Sequence, residues 1–250
     1  VWGFLAHYHP KATMGDIHMD YELFRVMPLV VEAKDKKERS RILNNWIIQS
    51  LGKITETGSY TDKTPDSYSR MVNLEWINNE QHFSEELIKT LNEVKDAKRS
   101  EKFNYNVIIY GGSKRSTYLD PKSLYPAVSW EDQGFRLLSL FKVWNNVEYG
   151  FPYTELTDIR WKEVITGFIE PFATAKSRKE YDLLLLSLVA HIGDSHGNIF
   201  RQGKSLVHEQ WVKKNNTFSD LVKTADGKVV VHSPGICPLK QGDIILSVDG

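Results

Sequence analysis

The residues with the most evident chemistry lie in the stretch His191–Gly197, which reads His-Ile-Gly-Asp-Ser-His-Gly. Gly193 can end the preceding helix, and Gly193 and Gly197 together would present His196 at a fixed place. An imidazole titrates near neutral pH, so His196 is a candidate general base. The same pattern is equally typical of a helix C-cap followed by a polar loop, and that interpretation stays open.

Two other kinds of site are disfavoured by the spacing. His191 and His196 are five residues apart across a glycine, so they share no helical face, and no third metal ligand is adjacent. Gly193-Asp194-Ser195 is superficially similar to the nucleophile motif of chymotrypsin-like proteases, but those are β-barrels and the pattern here is helical. No GxGxxG, P-loop or HExxH motif occurs, so neither a metal nor a cofactor is expected.

The remaining histidines of interest and the one cysteine are expected to have structural roles. His7, His9 and His18 lie in a corner rich in aromatic residues and proline, where packing or solvent contact is the expected role. Cys237 is the single cysteine, so it forms no internal disulfide, and no base is near it in sequence to activate it.

Composition restricts the class of protein further. The chain has 250 residues, 32 basic and 32 acidic side chains, and 12% aromatic residues, which argues against disorder. Zero net charge removes the electrostatic attraction on which nucleic-acid binding depends, so no nucleic-acid partner is expected. The longest apolar run, at 183–190, is about half of the roughly 20 residues that cross a bilayer, so no transmembrane segment is predicted.

An internal repeat organises the N-terminal part. A shift of 142 positions aligns residues 1–47 with residues 143–189 without a gap. Ten of the 47 positions are identical, where roughly three are expected by chance. One supersecondary unit is therefore predicted to occur twice, and Trp2 and Trp144, which align, are predicted to be buried. By this register, Val1 lies partway along the first copy's opening helix.

Each copy is predicted to contain a helix, a corner with proline, and two more helices. The apolar face at 135–147 predicts a helix that ends at Gly150-Phe151-Pro152. Asp158 is expected to cap a helix over 160–168, and residues 179–192 are expected to form a strongly apolar helix. Between the copies, the pattern predicts an amphipathic helix over 84–94 and a short strand at 105–110.

The pattern changes to β after Asn198. Residues 217–224 and 228–232 are predicted to be strands that flank a hairpin turn at Ala225-Asp226-Gly227. Residues 239–250 read Leu-Lys-Gln-Gly-Asp-Ile-Ile-Leu-Ser-Val-Asp-Gly. The predicted fold is α+β, mainly α: a duplicated helical domain over 1–204, then a partial, β-rich domain over 205–250.

Several of these segments resemble carboxy-terminal-processing (tail-specific) serine peptidases, in the bacterial branch related to tricorn core domains. Residues 239–250 resemble the PDZ-domain segment in which Gly-Asp makes a tight turn and the following aliphatics enter the sheet core. Asp194-Ser195-His196 looks like the Asp-x-His motif that closes the family's helical domain. The helix-and-corner segments at residues 2–10, 132–145 and 149–153 are similar to the family's two copies, in the same order.

The resemblance implies a three-part enzyme of the bacterial cell envelope or periplasm, with a helical domain, a PDZ-like peptide-binding domain and an α/β catalytic domain. Family members place the nucleophilic serine after the PDZ segment, so it would lie beyond Gly250, and this chain alone would not hydrolyse its polypeptide substrates. In the tricorn-like branch the base comes from the helical domain and would be His196. In the Ser-Lys branch the same histidine would be structural, and both branches stay open.

A competing hypothesis is a helical adaptor with a PDZ module and no chemistry. A third is a sugar- or lipid-binding envelope protein that uses the seven tryptophans, although their helical spacing favours burial.

Overall fold

The computed structural model describes residues 1–58, 72–99, 129–151, 153–194, 197–201, 204–206, 222–232 and 239–247. The chain forms two compact units, Val1–Leu184 and Leu185–Gly250. The fold is α+β and mainly α, as the sequence predicts. The units divide within a helix, whereas the sequence places the domain boundary near residue 205, and that boundary stays a prediction.

The first unit contains the first copy of the repeat and the second copy as far as Leu184. The first copy comprises α1 (Trp2–Tyr8), α2 (Pro10–Thr13), α3 (Met19–Val31) and α4 (Lys36–Trp46), and α4 runs on into a π-helical turn, Ile47–Leu51. A 3-10 turn (Glu75–Asn78) and the predicted amphipathic helix α5 (Glu85–Lys95) follow. The second copy comprises α6 (Gln133–Gly150), a 3-10 turn (Thr154–Leu156), α7 (Trp161–Thr174) and α8 (Arg178–Ala190), which crosses into the second unit.

Local structure recurs at the shift of 142. The starts of α3 and α4 coincide with those of α7 and α8. At the start of α4 the side chain of Asp35 accepts a hydrogen bond from the amide of Glu38, and Ser177 and Glu180 make the matching bond at the start of α8. Each glutamate side chain also accepts a hydrogen bond from the amide of the lysine that precedes the capping residue, so a variant of the capping box recurs in both copies. Superposition of the complete copies stays a prediction.

The two copies contact each other at equivalent residues. A Cβ atom added at Gly3 would overlap the side chain of Asn145, its counterpart, so the close approach of α1 to α6 requires glycine. One turn later, the rings of His7 and its counterpart Tyr149 have centroids 5.0 Å apart. Because equivalent residues meet at two successive turns, α1 and the second half of α6 run side by side in the same direction.

The main apolar core of the first unit lies between the first copy and α5. Helix α5 contributes Leu87, Leu91 and Val94, which are at helical spacing and at most 1% exposed. The helices of the first copy contribute apolar side chains that include Phe4, Leu5, Met19, Trp46 and Leu51.

A buried arginine ties α6 to the end of α7. Arg136 is 6% exposed, and its Nε and Nη2 donate to the carbonyls of Phe172 and Ala173 at 2.7 and 2.6 Å. Its Nη1 donates to the carbonyls of Trp130 and Glu131 at 2.9 and 2.8 Å. Carbonyls at a helix C-terminus have no intrahelical donor, so this one side chain serves as their cap.

We expect Arg136→Met to lower the free energy of unfolding by about 3 kcal/mol, because buried carbonyls lose charge-assisted hydrogen bonds. Urea denaturation followed by circular dichroism would measure the change. Arg160→Met is the matched control, since the Arg160 side chain is 87% exposed and its ion pair with Glu163 lies at the surface. Equal losses in the two variants would contradict the capping role.

The second unit contains short antiparallel strands. Strands β1 (Phe200–Arg201) and β2 (Lys204–Ser205) pair with each other. Strands β3 (Val222–Ala225) and β4 (Lys228–Val231) form the predicted hairpin, and β5 (Ile244–Ile245) pairs with the other edge of β4. The turn between β3 and β4 has positive φ at Asp226 (49°) and Gly227 (72°), as two-residue hairpins require.

Three expectations need correction. Helix α7 begins at Trp161 after Arg160 without a side-chain cap, so Asp158 does not cap it. Trp2 and Trp144 are half-buried rather than buried, and each indole Nε1 donates to a backbone carbonyl, that of Met19 and that of Trp161 respectively. The aliphatic residues after the Gly-Asp turn do not all enter a sheet core, since Ile244 in β5 is 47% exposed and Leu246, just after β5, is 92% exposed.

Some predicted features lie outside the described residues. They are the strand at 105–110, residues 217–221 of the first hairpin strand, Pro152, Ser195, His196, Cys237 and the last three residues of the PDZ-like segment.

Candidate functional site

The helix that leads to His196 ends at a glycine, as the sequence predicts. Helix α8 stops at Ala190, and the amide of Gly193 donates to the carbonyl of Ala190 at 3.1 Å. Gly193 has a φ of +71°, a conformation in which a side chain would be strained. The reversal of the chain after α8 therefore depends on glycine at this position.

The backbone is also fixed on the far side of the candidate base. The amide of Gly197 donates to the carbonyl of Asp194 at 2.9 Å. A Cβ atom at Gly197 would lie 3.0 Å from that carbonyl oxygen and 3.0 Å from Cγ1 of Val189. This close approach favours glycine, so the structure explains why glycine occurs at both position 193 and position 197. Ser195 and His196, between the bonded residues in sequence, are outside the described part of the chain, and the catalytic role of His196 stays a prediction.

His191, the histidine nearest to His196 in sequence, makes a hydrogen bond within its own helix. Nδ1 of His191 lies 2.7 Å from the carbonyl of Ser187, to which it donates, and this bond ties the ring to its own helix. Over the described ranges, no three His, Cys, Asp or Glu side chains are placed to hold a metal ion together.

In the first copy, α4 ends in a way related to the end of α8. Gly52 follows the π-helical turn with a φ of +89°, and its amide donates to the carbonyl of Ile47, five residues earlier, at 3.1 Å. Gly52 and Gly193 are 141 rather than 142 positions apart. A π-helical turn accommodates one additional residue, so the first copy reaches the corresponding glycine one residue late. The ungapped alignment of the two copies hides this correspondence, and a gap of one residue in the repeat reveals it.

Two of the three corner histidines are packed within the first unit. His9 is 2% exposed, and its Nε2 lies 3.4 Å from the carbonyl of Gly52, a weak bond. His7 contacts the ring of Tyr149. Burial lowers the pKa of both imidazoles to about 4, and the positive charges of Lys142 and Lys11 act in the same direction on His7 and His9 respectively. Neutral, packed rings match the structural role expected for this corner.

The PDZ-like segment begins with a tight turn. Gly242 has a φ of +92°, and its amide donates to the carbonyl of Val231 in β4 at 2.9 Å. The Asp243 side chain accepts a hydrogen bond from the amide of Lys240 at 2.7 Å, and the amide of Val231 donates to the Asp243 carbonyl at 2.8 Å. These bonds hold the Gly-Asp turn against β4, and β5 begins directly after the turn.

Comparisons with models of protein families, with curated proteins and with solved structures found no match to this chain. In the described part of the chain, no helix combines the length and the apolar character needed to cross a membrane.

Proposed function

We propose that this chain is the non-catalytic part of a serine endopeptidase of the bacterial cell envelope. In this proposal the second unit binds extended polypeptide, and the turn after α8 supplies His196 as the general base. The nucleophilic serine comes from a segment outside these 250 residues. The proposal rests on the family resemblance of the sequence together with the local geometry at two turns.

The observation that carries the proposal is the construction of the turn from Gly193 to Gly197. Gly193 has positive φ, and the amide of Gly197 donates to the carbonyl of Asp194 where little space is left for a side chain, so the backbone on both sides of His196 in sequence favours glycine. A general base must be positioned to within a fraction of an ångström to be efficient, and this local construction on either side of His196 is what supports the role. A simple helix cap requires the first glycine but gives no reason for the second close approach.

The sheet of the second unit supports the binding role. Strands β3, β4 and β5 form one antiparallel sheet, and the Gly242-Asp243 turn leads directly into β5. PDZ domains bind extended peptides by adding a strand to such a sheet, with backbone hydrogen bonds as the main source of affinity. A carboxy-terminal polypeptide segment is therefore the expected ligand.

We expect the 250-residue chain to bind fluorescently labelled unfolded casein with a dissociation constant on the order of micromolar, without hydrolysing it. Fluorescence anisotropy measures binding, and gel electrophoresis after long incubation measures hydrolysis. Gly242→Val should weaken binding at least about fivefold, because a β-branched residue is strained at positive φ. Gly167→Ala, where nothing lies within 4 Å of the added Cβ, is the matched control.

Two outcomes would overturn the proposal. Hydrolysis of casein that is sensitive to a serine-directed inhibitor, with contaminating protease excluded, would place the nucleophile within this chain. A parent gene that ends shortly after the PDZ-like fold would leave no room for a catalytic domain of typical size and would favour the adaptor.

A further inference from the structure

A groove of about 220 Å³ lies in the first unit between the π-helical end of α4 and helix α5. Its floor is apolar and includes Ile47, Ile48, Ile54 and Val94. Pockets for drug-sized ligands measure roughly 300 to 1,000 Å³, so this groove suits a smaller molecule, about the size of one or two amino-acid residues.

The groove is shaped by the π-helical turn. The turn lengthens α4 by one residue, and Gly52, which lines the groove, then redirects the chain at positive φ. Turns of this kind are rare in proteins and occur frequently at functional sites. The second copy of the repeat reaches its corresponding glycine one residue earlier, so the π-helical turn that shapes the groove belongs to the first copy.

One wall of the groove is polar and rigid. Asn44 is 2% exposed, and its Nδ2 donates to Oε1 of Glu86 at 3.0 Å. The Thr90 hydroxyl donates to Oδ1 of Asn44 at 2.6 Å. A buried amide with both ends bonded fixes the direction of the Glu86 carboxylate at the edge of the apolar floor.

The rim carries two charges of each sign. Glu86 and Glu93 line the groove from α5, together with Lys89, and Lys53 lines it from the segment after the π-helical turn. Within the described part of the chain, none of these four groups makes an ion pair. Their charges are therefore available to a ligand that carries both signs itself.

We propose that this groove binds an aliphatic zwitterion, either a free amino acid or a short peptide with an aliphatic side chain. The side chain packs on the isoleucines of the floor. The ammonium group lies at Glu86, whose carboxylate Asn44 orients, and the carboxylate lies at Lys89, one helical turn further along α5. Such a molecule is also what a peptidase releases, but binding at this groove does not depend on the peptidase proposal.

Isothermal titration calorimetry on the 250-residue chain tests the proposal with three probes: leucine, the dipeptide Leu-Gly and N-acetyl-leucinamide. We expect leucine or Leu-Gly to bind with a dissociation constant of about 1 mM or tighter. N-acetyl-leucinamide has the same side chain without either charge and should bind at least about tenfold more weakly. The tighter of the two zwitterions identifies the source, free amino acid or peptide.

Glu86→Gln removes the carboxylate that Asn44 orients and should weaken binding of the zwitterion at least about fivefold. Glu85→Gln is the matched control, because Glu85 is exposed on the same helix and does not line the groove. The proposal is overturned if neither zwitterion gives heat up to about 20 mM, if N-acetyl-leucinamide binds equally well, or if both variants lose affinity alike. Because no hydrolysis is measured, failure here leaves the peptidase proposal untouched.

Discussion

His196→Ala is expected to lower kcat by roughly 10³-fold or more in the enzyme that contains both this chain and the segment with the nucleophilic serine. A serine hydroxyl is a weak nucleophile at neutral pH, and it becomes effective when a neighbouring base takes its proton. The loss should fall on kcat rather than on KM, because the imidazole acts on the reacting atoms and not on substrate binding. Steady-state kinetics with a fluorogenic peptide would measure both constants, and circular dichroism would verify folding.

His191→Ala is the control for this experiment. His191 precedes the same turn, but its Nδ1 is bonded to the carbonyl of Ser187, so it is expected to have no part in the reaction. Near-normal turnover of a folded His196→Ala enzyme would remove the catalytic assignment. It would indicate instead a Ser-Lys enzyme in which this histidine has a structural role.

The repeated helices could be predicted from sequence because their ends are determined locally. The matching segments Ala33–Glu38 and Ala175–Glu180 place a capping residue three positions before a glutamate, and each copy forms the same pair of capping hydrogen bonds. The hairpin at Asp226-Gly227 is predictable for the same reason, since its turn requires positive φ at two successive residues.

Features that depend on contacts distant in sequence could not be predicted. The side chain of Arg136 bonds to carbonyls 36 and 37 residues away, and nothing in the local pattern indicates such a cap. The π-helical turn after α4 adds one residue at the end of that helix, and hydrophobic spacing alone is insensitive to such an addition. The groove, in turn, exists only because α5 packs beside that turn.

The candidate site was predictable in part for a related reason. Gly193 is recognisable because a helix end with positive φ favours glycine wherever it occurs. The requirement for Gly197 arises from its approach to Val189, a packing contact that sequence spacing does not show. In the same way, sequence places His7 and His9 in a packed corner, but the depth of their burial depends on residues from other helices.

The stability of this chain is expected to fall steeply between pH 7 and pH 5 because of those two histidines. Burial lowers the pKa of His7 and of His9 to about 4, with further contributions from Lys142 and Lys11. In the unfolded chain an imidazole titrates near 6.5. As the pH falls below 6.5 the unfolded state therefore binds protons that the folded state does not, and folding loses free energy until the pH reaches about 4.

The size of the effect follows from the same values. At pH 5 each histidine is expected to lower the free energy of unfolding by about 2 kcal/mol relative to pH 7, so the two together lower it by about 4 kcal/mol. For a protein of ordinary stability, that is a large share of the free energy of unfolding. Urea denaturation at a series of pH values between 7 and 4.5 would measure the slope.

Replacing both rings separates this contribution from other acid effects. His7→Phe keeps a ring against Tyr149, and His9→Gln keeps a polar group near the carbonyl of Gly52, but neither new side chain titrates. The double variant should have the flatter profile, and its difference from the parent chain should grow by about 4 kcal/mol from pH 7 to pH 5. His82→Gln exchanges an exposed histidine and serves as the control.

If the double variant and the control have the same slope as the parent chain, protonation of His7 and His9 does not determine the acid sensitivity, and other groups must bind the protons. If the double variant alone is flatter, the packed corner between α1, α6 and the π-helical turn is the acid-sensitive part of the helical unit.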